Sequence, residues 1–111
     1  ARSKENETSA QIRERVIRVQ EIQKQRFQGT DIGCNSRIPS FAIDRYCALG
    51  EKQEAYMRQI YRRLSLTARS YHKILKVART IADMEESGEI LLSHLMEAVC
   101  YRGMDQKIWE R

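Results

Sequence analysis

Helix breakers are scarce in this chain: 111 residues contain five glycines and one proline. Apolar residues recur at three- and four-residue spacing along most of its length, and β-branched residues do not alternate with polar ones. Helical periodicity without a period-two pattern predicts an all-α fold. With 41% hydrophobic residues, the chain holds enough apolar material for one modest core. The expected architecture is a compact bundle of about five helices joined by short turns and one longer loop.

Each helix has its own start and stop signals. Residues Ala1 to Glu7 are polar and charged with little to bury, so residues 1–8 read as a disordered tail and 9–111 as the domain. Thr8 and Gln11 form a capping-box pattern ahead of a first helix reaching Phe27, with Ile12, Val16, Val19 and Ile22 as its apolar stripe. Gln28 to Ile38, with two glycines and no period, reads as a loop. Pro39 is suited to the first position of a short second helix that Gly50 would end, because proline there loses no helical hydrogen bond. A third helix, Glu51 to Leu64, offers Ala55, Met57, Ile60, Tyr61 and Leu64 to the core. Thr67 caps a fourth with the best apolar face in the chain: Tyr71, Ile74, Leu75, Ala78, Ile81 and Ala82. Ser87 and Gly88 break it, and Ser93 caps a fifth carrying Leu95, Met96, Val99 and Cys100 to about Arg102. Ile108 and Trp109 in the tail are expected to pack back onto the bundle.

Composition narrows the function classes. No apolar run approaches the roughly 20 residues that cross a membrane, so no membrane partner is expected. Cys34, Cys47 and Cys100 are odd in number and lack CxxC spacing, which suits a reducing cytoplasm better than a disulfide framework. Those cysteines with His72 and His94 make no zinc spacing, so no metal site is expected. Phosphate-binding glycine loops, GxxxxGK[ST] or GxGxxG, are absent, and this chain alone should not hydrolyse a nucleotide. The net charge of +5 permits an anionic partner without requiring one.

The densest basic region runs through Arg62, Arg63, Arg69, Lys73, Lys76 and Arg79, and these residues are candidate phosphate or nucleic-acid contacts. Geometry separates two of the arginines. Ten helical residues place Arg79 roughly 15 Å along the axis from Arg69 and about 80° around it. Arg79 has Asp83 at i, i+4 and reads as structural. Arg69 sits in the first turn, where the helix macrodipole disfavours a cation, and has no acidic residue at i+3 or i+4. Its guanidinium is therefore expected to project toward an external anion.

The segment "TARSYHKILKVARTIAD", Thr67 to Asp83, resembles the (S/T)AR-x-x-x-(R/K)-IL-(R/K)-VARTIAD signature in the C-terminal domain of magnesium-chelatase-like AAA+ ATPases, the competence-related YifB/ComM subfamily. The resemblance extends, in order, to "IRERV" and "IQKQRF" in the first helix, "CNSRIP" and "RYC" after it, and "SHLMEAVCYR" in the last. It departs at Thr67, Ser70 and Lys73, where serine, alanine and arginine are frequent.

This resemblance implies a helical lid that follows an upstream AAA+ core of the same chain, with ATP and Mg2+ bound by that core. It further implies neighbouring subunits in a hexameric ring and, for the competence branch, DNA processing. Arg69 would be the sensor 2 arginine; Arg62, Arg63, Lys73 and Lys76, from the basic region above, are possible accessory phosphate or nucleic-acid contacts beside it. The alternative expectation is a stand-alone basic helical module that binds nucleic acid.

Overall fold

The computed structural model describes residues 8–104, with the side chains of 102–104 outside that description. The five predicted helices are present: α1 (Ser9–Arg26), α2 (Ile43–Tyr46), α3 (Glu51–Arg63), α4 (Ala68–Met84) and α5 (Leu92–Met104), with 3-10 turns at Asn35–Arg37 and Ser40–Ala42. No strand occurs among the described residues, and no described helix is long and apolar enough to cross a membrane. The expectations for residues 1–7 and for Ile108 and Trp109 lie outside the described residues.

Helix α4 is the axis of the bundle. Ile74, Leu75, Ala78, Ile81 and Ala82 are buried, as its periodicity predicted, and Tyr71 is half-buried. Leu95 and Ala98 of α5 and Met57 and Ile60 of α3 share one core with this stripe, and Phe27, Ile38, Ala42, Ile43 and Cys47 complete it from the region between α1 and α3. Phe27 and Tyr46 meet edge to face at 4.9 Å.

Several expected boundaries and faces shift. Pro39 precedes the Ser40–Ala42 turn and caps it, and the second α-helix is only four residues long; Gly50 caps the start of α3 instead of ending α2. Ser93 does not cap α5. That helix begins at Leu92, and the Leu91 amide donates to His94 Nδ1 at 2.9 Å. Of the α3 candidates, Ala55, Tyr61 and Leu64 stay exposed. Met96 and Cys100 are likewise exposed, and Ala98 takes the buried position on α5.

The largest departure is α1. Its capping box forms, with Thr8 and Gln11 exchanging hydrogen bonds, but none of its residues is fully buried. Ile12 and Val16 remain 46% and 48% exposed, while Val19 and Ile22 are half-buried. Periodicity locates an apolar stripe but cannot say whether another element covers it. Here the chain is tied down at the helix's far end, by Arg26 and Phe27. Leu95→Ala is therefore expected to cost about 2–5 kcal/mol, whereas Val16→Ala should stay within about 0.5 kcal/mol; urea unfolding followed by circular dichroism compares them.

Two turns end helices without glycine. Ser65 (φ 51°) and Glu86 (φ 57°) adopt the left-handed conformation just past α3 and α4. In each, the next amide reaches back to the helix: Leu66 N–H to the Tyr61 carbonyl at 3.1 Å, and Ser87 N–H to the Ala82 carbonyl at 2.8 Å. These are paired Schellman closures that satisfy otherwise orphaned carbonyls. Glu86 thus ends α4 ahead of the expected Ser87 and Gly88.

Candidate functional site

The first turn of α4 is fixed by its cap. Thr67 Oγ1 accepts the Ser70 amide at 3.0 Å and donates to Ser70 Oγ at 3.1 Å, and Leu66, just before it, is buried. Arg69 follows on an exposed position. Arg69, Lys73 and Lys76 stand at i, i+4 and i+7, so they share one face over about 10 Å of helix. They border a groove of about 650 Å³ to which α1 contributes Arg15 and α5 contributes Glu97 and Tyr101. Its apolar floor includes Val77, Ile81 and Met84.

Lys76 leans across the groove edge, Nζ to the Ser36 carbonyl at 3.4 Å. The expectation of a free Arg69 guanidinium does not hold, since Arg15, Arg69 and Lys73 are all engaged in interactions.

Arg62 and Arg63 do not join this groove. They lie on α3 with Arg58 along a separate, shallow surface. Arg79 is removed from the candidate contacts altogether: it is buried, with 6% of its surface exposed. Nη2 of Arg79 lies 3.2 Å from Asp83 Oδ1 and donates to the Ser87 carbonyl at 2.7 Å, while Nη1 donates to the Gly88 carbonyl at 3.2 Å. Burial pulls its pKa down and Asp83 opposes that shift. An arginine surrounded in this way pins the α4–α5 turn and cannot reach an external phosphate.

Asp83 gathers more than the predicted pair. Arg26, at the end of α1, donates to both of its oxygens at 2.7 and 2.8 Å, and Asn35 Nδ2 donates to Oδ2 at 2.9 Å. Asn35 also reaches Thr80 Oγ1 at 3.0 Å and accepts from Arg26 at 3.0 Å, and its amide donates to Gln23 Oε1 at 2.9 Å. One buried carboxylate thus joins α1, the following loop and α4. Spacing gave no signal for Arg26 or Asn35, which are 57 and 48 residues away from Asp83.

His94 is buried, and both of its ring nitrogens are hydrogen-bonded. Nδ1 accepts the Leu91 amide, so Nε2 carries the proton and donates to Glu85 Oε1 at 2.9 Å. Among the described residues no three His, Cys, Asp or Glu side chains converge as metal ligands would.

The three thiols are free and differ sharply. Burial pushes Cys47 up to about 11, whereas a hydrogen bond with Ser36, at 3.2 Å, pulls Cys34 below the usual thiol value. Thiolate is the reactive form. Alkylation of the native protein should therefore start at Cys34 at lower pH than for an ordinary thiol and spare Cys47 until the chain unfolds. Mass spectrometry of the alkylated peptides reads both; early modification of Cys47 would contradict the burial argument.

The site geometry coincides with family likeness. Residues 6–102 match the family described as magnesium chelatase, subunit ChlI C-terminal. The chain is 43% identical over 98 residues to the competence protein ComM of Haemophilus influenzae, covering 88% of this chain and 18% of that protein. It is 37% and 35% identical over 100 residues to the YifB proteins of Salmonella typhimurium and Escherichia coli, covering 90% of this chain and 19% of each. The chain spans less than a fifth of the length of these relatives. It belongs to the family of magnesium chelatase ChlI C-terminal domains, alongside the corresponding regions of ComM and YifB.

Proposed function

We propose that residues 9–111 form the helical lid of a magnesium-chelatase-like AAA+ ATPase, and that Arg69 senses ATP held by an upstream core of the same protein. The observation that carries this reading is the shared face of Arg69, Lys73 and Lys76 at the capped start of α4, beside a groove. Amide groups at a helix start and a planar guanidinium both favour a multiply charged anion. Three cations across about 10 Å suit the length of a triphosphate chain better than that of a single phosphate.

In this reading ATP and its Mg2+ supply the phosphoryl group and the metal charge. The residues of this chain orient and neutralise. Arg69 holds positive charge against the terminal phosphate, where negative charge is redistributed during transfer. Lys73 and Lys76 add point charges along the same face. Because Arg69 is fixed to α4 by the Thr67 cap, loss of the terminal phosphate releases the whole helix and, through Asp83, α1 and the loop with it. Hydrolysis is thereby coupled to lid movement. The isolated chain has no ATPase activity in this account. Arg69→Ala in the full-length ATPase tests it: unchanged ATP turnover in a normally folded protein would rule the sensor role out.

A second reading rests on Arg58, Arg62 and Arg63, which form a basic ridge of α3 apart from the groove. This ridge would contact DNA phosphates while the groove serves nucleotide. Three phosphate contacts give a salt slope of roughly −3 in log affinity against log salt. Fluorescence anisotropy of labelled DNA with the 111-residue chain measures it, and Arg62→Ala/Arg63→Ala should lower both affinity and slope. No binding at low salt removes the DNA contact.

A further inference from the structure

The arginines of α3 have an aromatic neighbour. Tyr61, expected in the core, is 43% exposed, and it follows Arg58 by three residues and precedes Arg62 by one. Residues three apart in a helix adjoin on its surface, so Tyr61 flanks the ridge of Arg58, Arg62 and Arg63. From α4, Tyr71 meets its ring edge to face, with centroids 5.6 Å apart, and His72 meets Tyr71 in turn at 6.0 Å. A ring braced in this way has little mobility left to lose when a ligand settles on it.

Charge is divided across this aromatic step. The ridge carries three arginines. Toward Tyr71 stand the carboxylates of Glu54 and Asp44: burial first, and then these two groups, hold the Tyr71 hydroxyl above the usual tyrosine pKa, while Arg58 opposes them. A phosphate is thus drawn to the arginines and repelled from Tyr71, whereas an uncharged base can lie on the aromatic side and offer its N–H groups to the acids. In a duplex the bases are paired and stacked on one another. Only an unpaired strand presents an anionic backbone together with a π-face free to stack on a side chain.

We infer that the α3 ridge is a site for single-stranded DNA, with the backbone on Arg58, Arg62 and Arg63 and a base stacked on Tyr61. The inference rests on the reading of this ridge as a DNA contact and specifies the kind of DNA it takes. Glu54 and Asp44 fix the orientation, because they keep the phosphates on the arginine side.

Three labelled probes of equal length separate stacking from phosphate contact: oligo-dT, a duplex, and a strand whose sugars lack bases. By charge alone the duplex should win, since it has the higher charge density. Fluorescence anisotropy with the 111-residue chain is expected to show the opposite order, with oligo-dT bound more tightly than either the duplex or the baseless strand. Tyr61→Ala should weaken oligo-dT binding about 5- to 150-fold and leave the baseless strand unaffected, while Tyr61→Phe should keep wild-type affinity; circular dichroism checks that each variant folds. If Tyr61→Ala fails to fold, the wild-type comparison of oligo-dT with the baseless strand decides alone. Equal affinity for all three probes would overturn the stacking site and leave the ridge as a phosphate contact only. Equal losses of both strands in a folded Tyr61→Ala protein would overturn it as well. No binding of any probe at low salt would remove the DNA reading of the ridge and this inference with it.

Discussion

Asp83→Ala is expected to destabilise the domain by about 3–5 kcal/mol, the usual cost of leaving a buried charge without its partner. Asp83 is 1% exposed and holds Arg26, Arg79 and Asn35 together. Without the carboxylate, Arg79 stays buried with only carbonyl acceptors, and its Nε already has no partner. In a domain this small, such a loss lowers the melting temperature by more than about 10 °C. Glu86→Ala makes the contrast. It also removes an ion pair of 2.9 Å, with Arg18, but both side chains there are about half exposed, and exposed pairs contribute within about 1 kcal/mol. Urea unfolding of the two variants separates the accounts: equal losses would mean that the Asp83 network does not hold α1 and the loop to α4.

The network also explains what the sequence made legible. Helix α4 was read almost residue for residue because its capping threonine, its 3.6-residue stripe and the Arg79–Asp83 pair are all local signals. The C-terminal half of α1 and the Asn35 turn depend instead on contacts across dozens of residues, which no window along the chain reveals. The same limit explains the exposed Ile12 and Val16: the stripe is present in the sequence, but among the described residues no element covers it. The 3-10 turns around Pro39 escaped for a different reason. Pro39 is compatible both with a helix start and with a cap, and tertiary packing of Ile38, Ala42 and Ile43 selects the latter.

Basic residues were legible as a group but not as sites. Spacing alone placed Arg62, Arg63, Arg69, Lys73, Lys76 and Arg79 in one region. The fold divides them into three environments: Arg69, Lys73 and Lys76 at the groove, Arg62 and Arg63 on the α3 ridge, and Arg79 in the core. Burial is the deciding property, and a charged residue's burial is poorly encoded in its immediate neighbours. For Arg79, the i+4 aspartate was the one local cue to its structural role.

The second large effect concerns Arg69. A preorganised donor aimed at developing charge contributes about 2.7–4 kcal/mol, equivalent to about 10²–10³ in kcat. Arg69 is exposed at the rim and outside the core, so its removal should leave the melting temperature of the domain nearly unchanged. Arg69→Lys keeps a charge but loses the planar fork, and should recover only part of the rate.

Single-turnover ATP hydrolysis by the full-length protein, comparing wild type, Arg69→Ala and Arg69→Lys at saturating nucleotide, therefore tests the proposed sensor role most directly. The account predicts a rate about 10²–10³ lower for Arg69→Ala, an intermediate rate for Arg69→Lys, and unaltered folding of all three. Wild-type hydrolysis by a folded Arg69→Ala protein would contradict it.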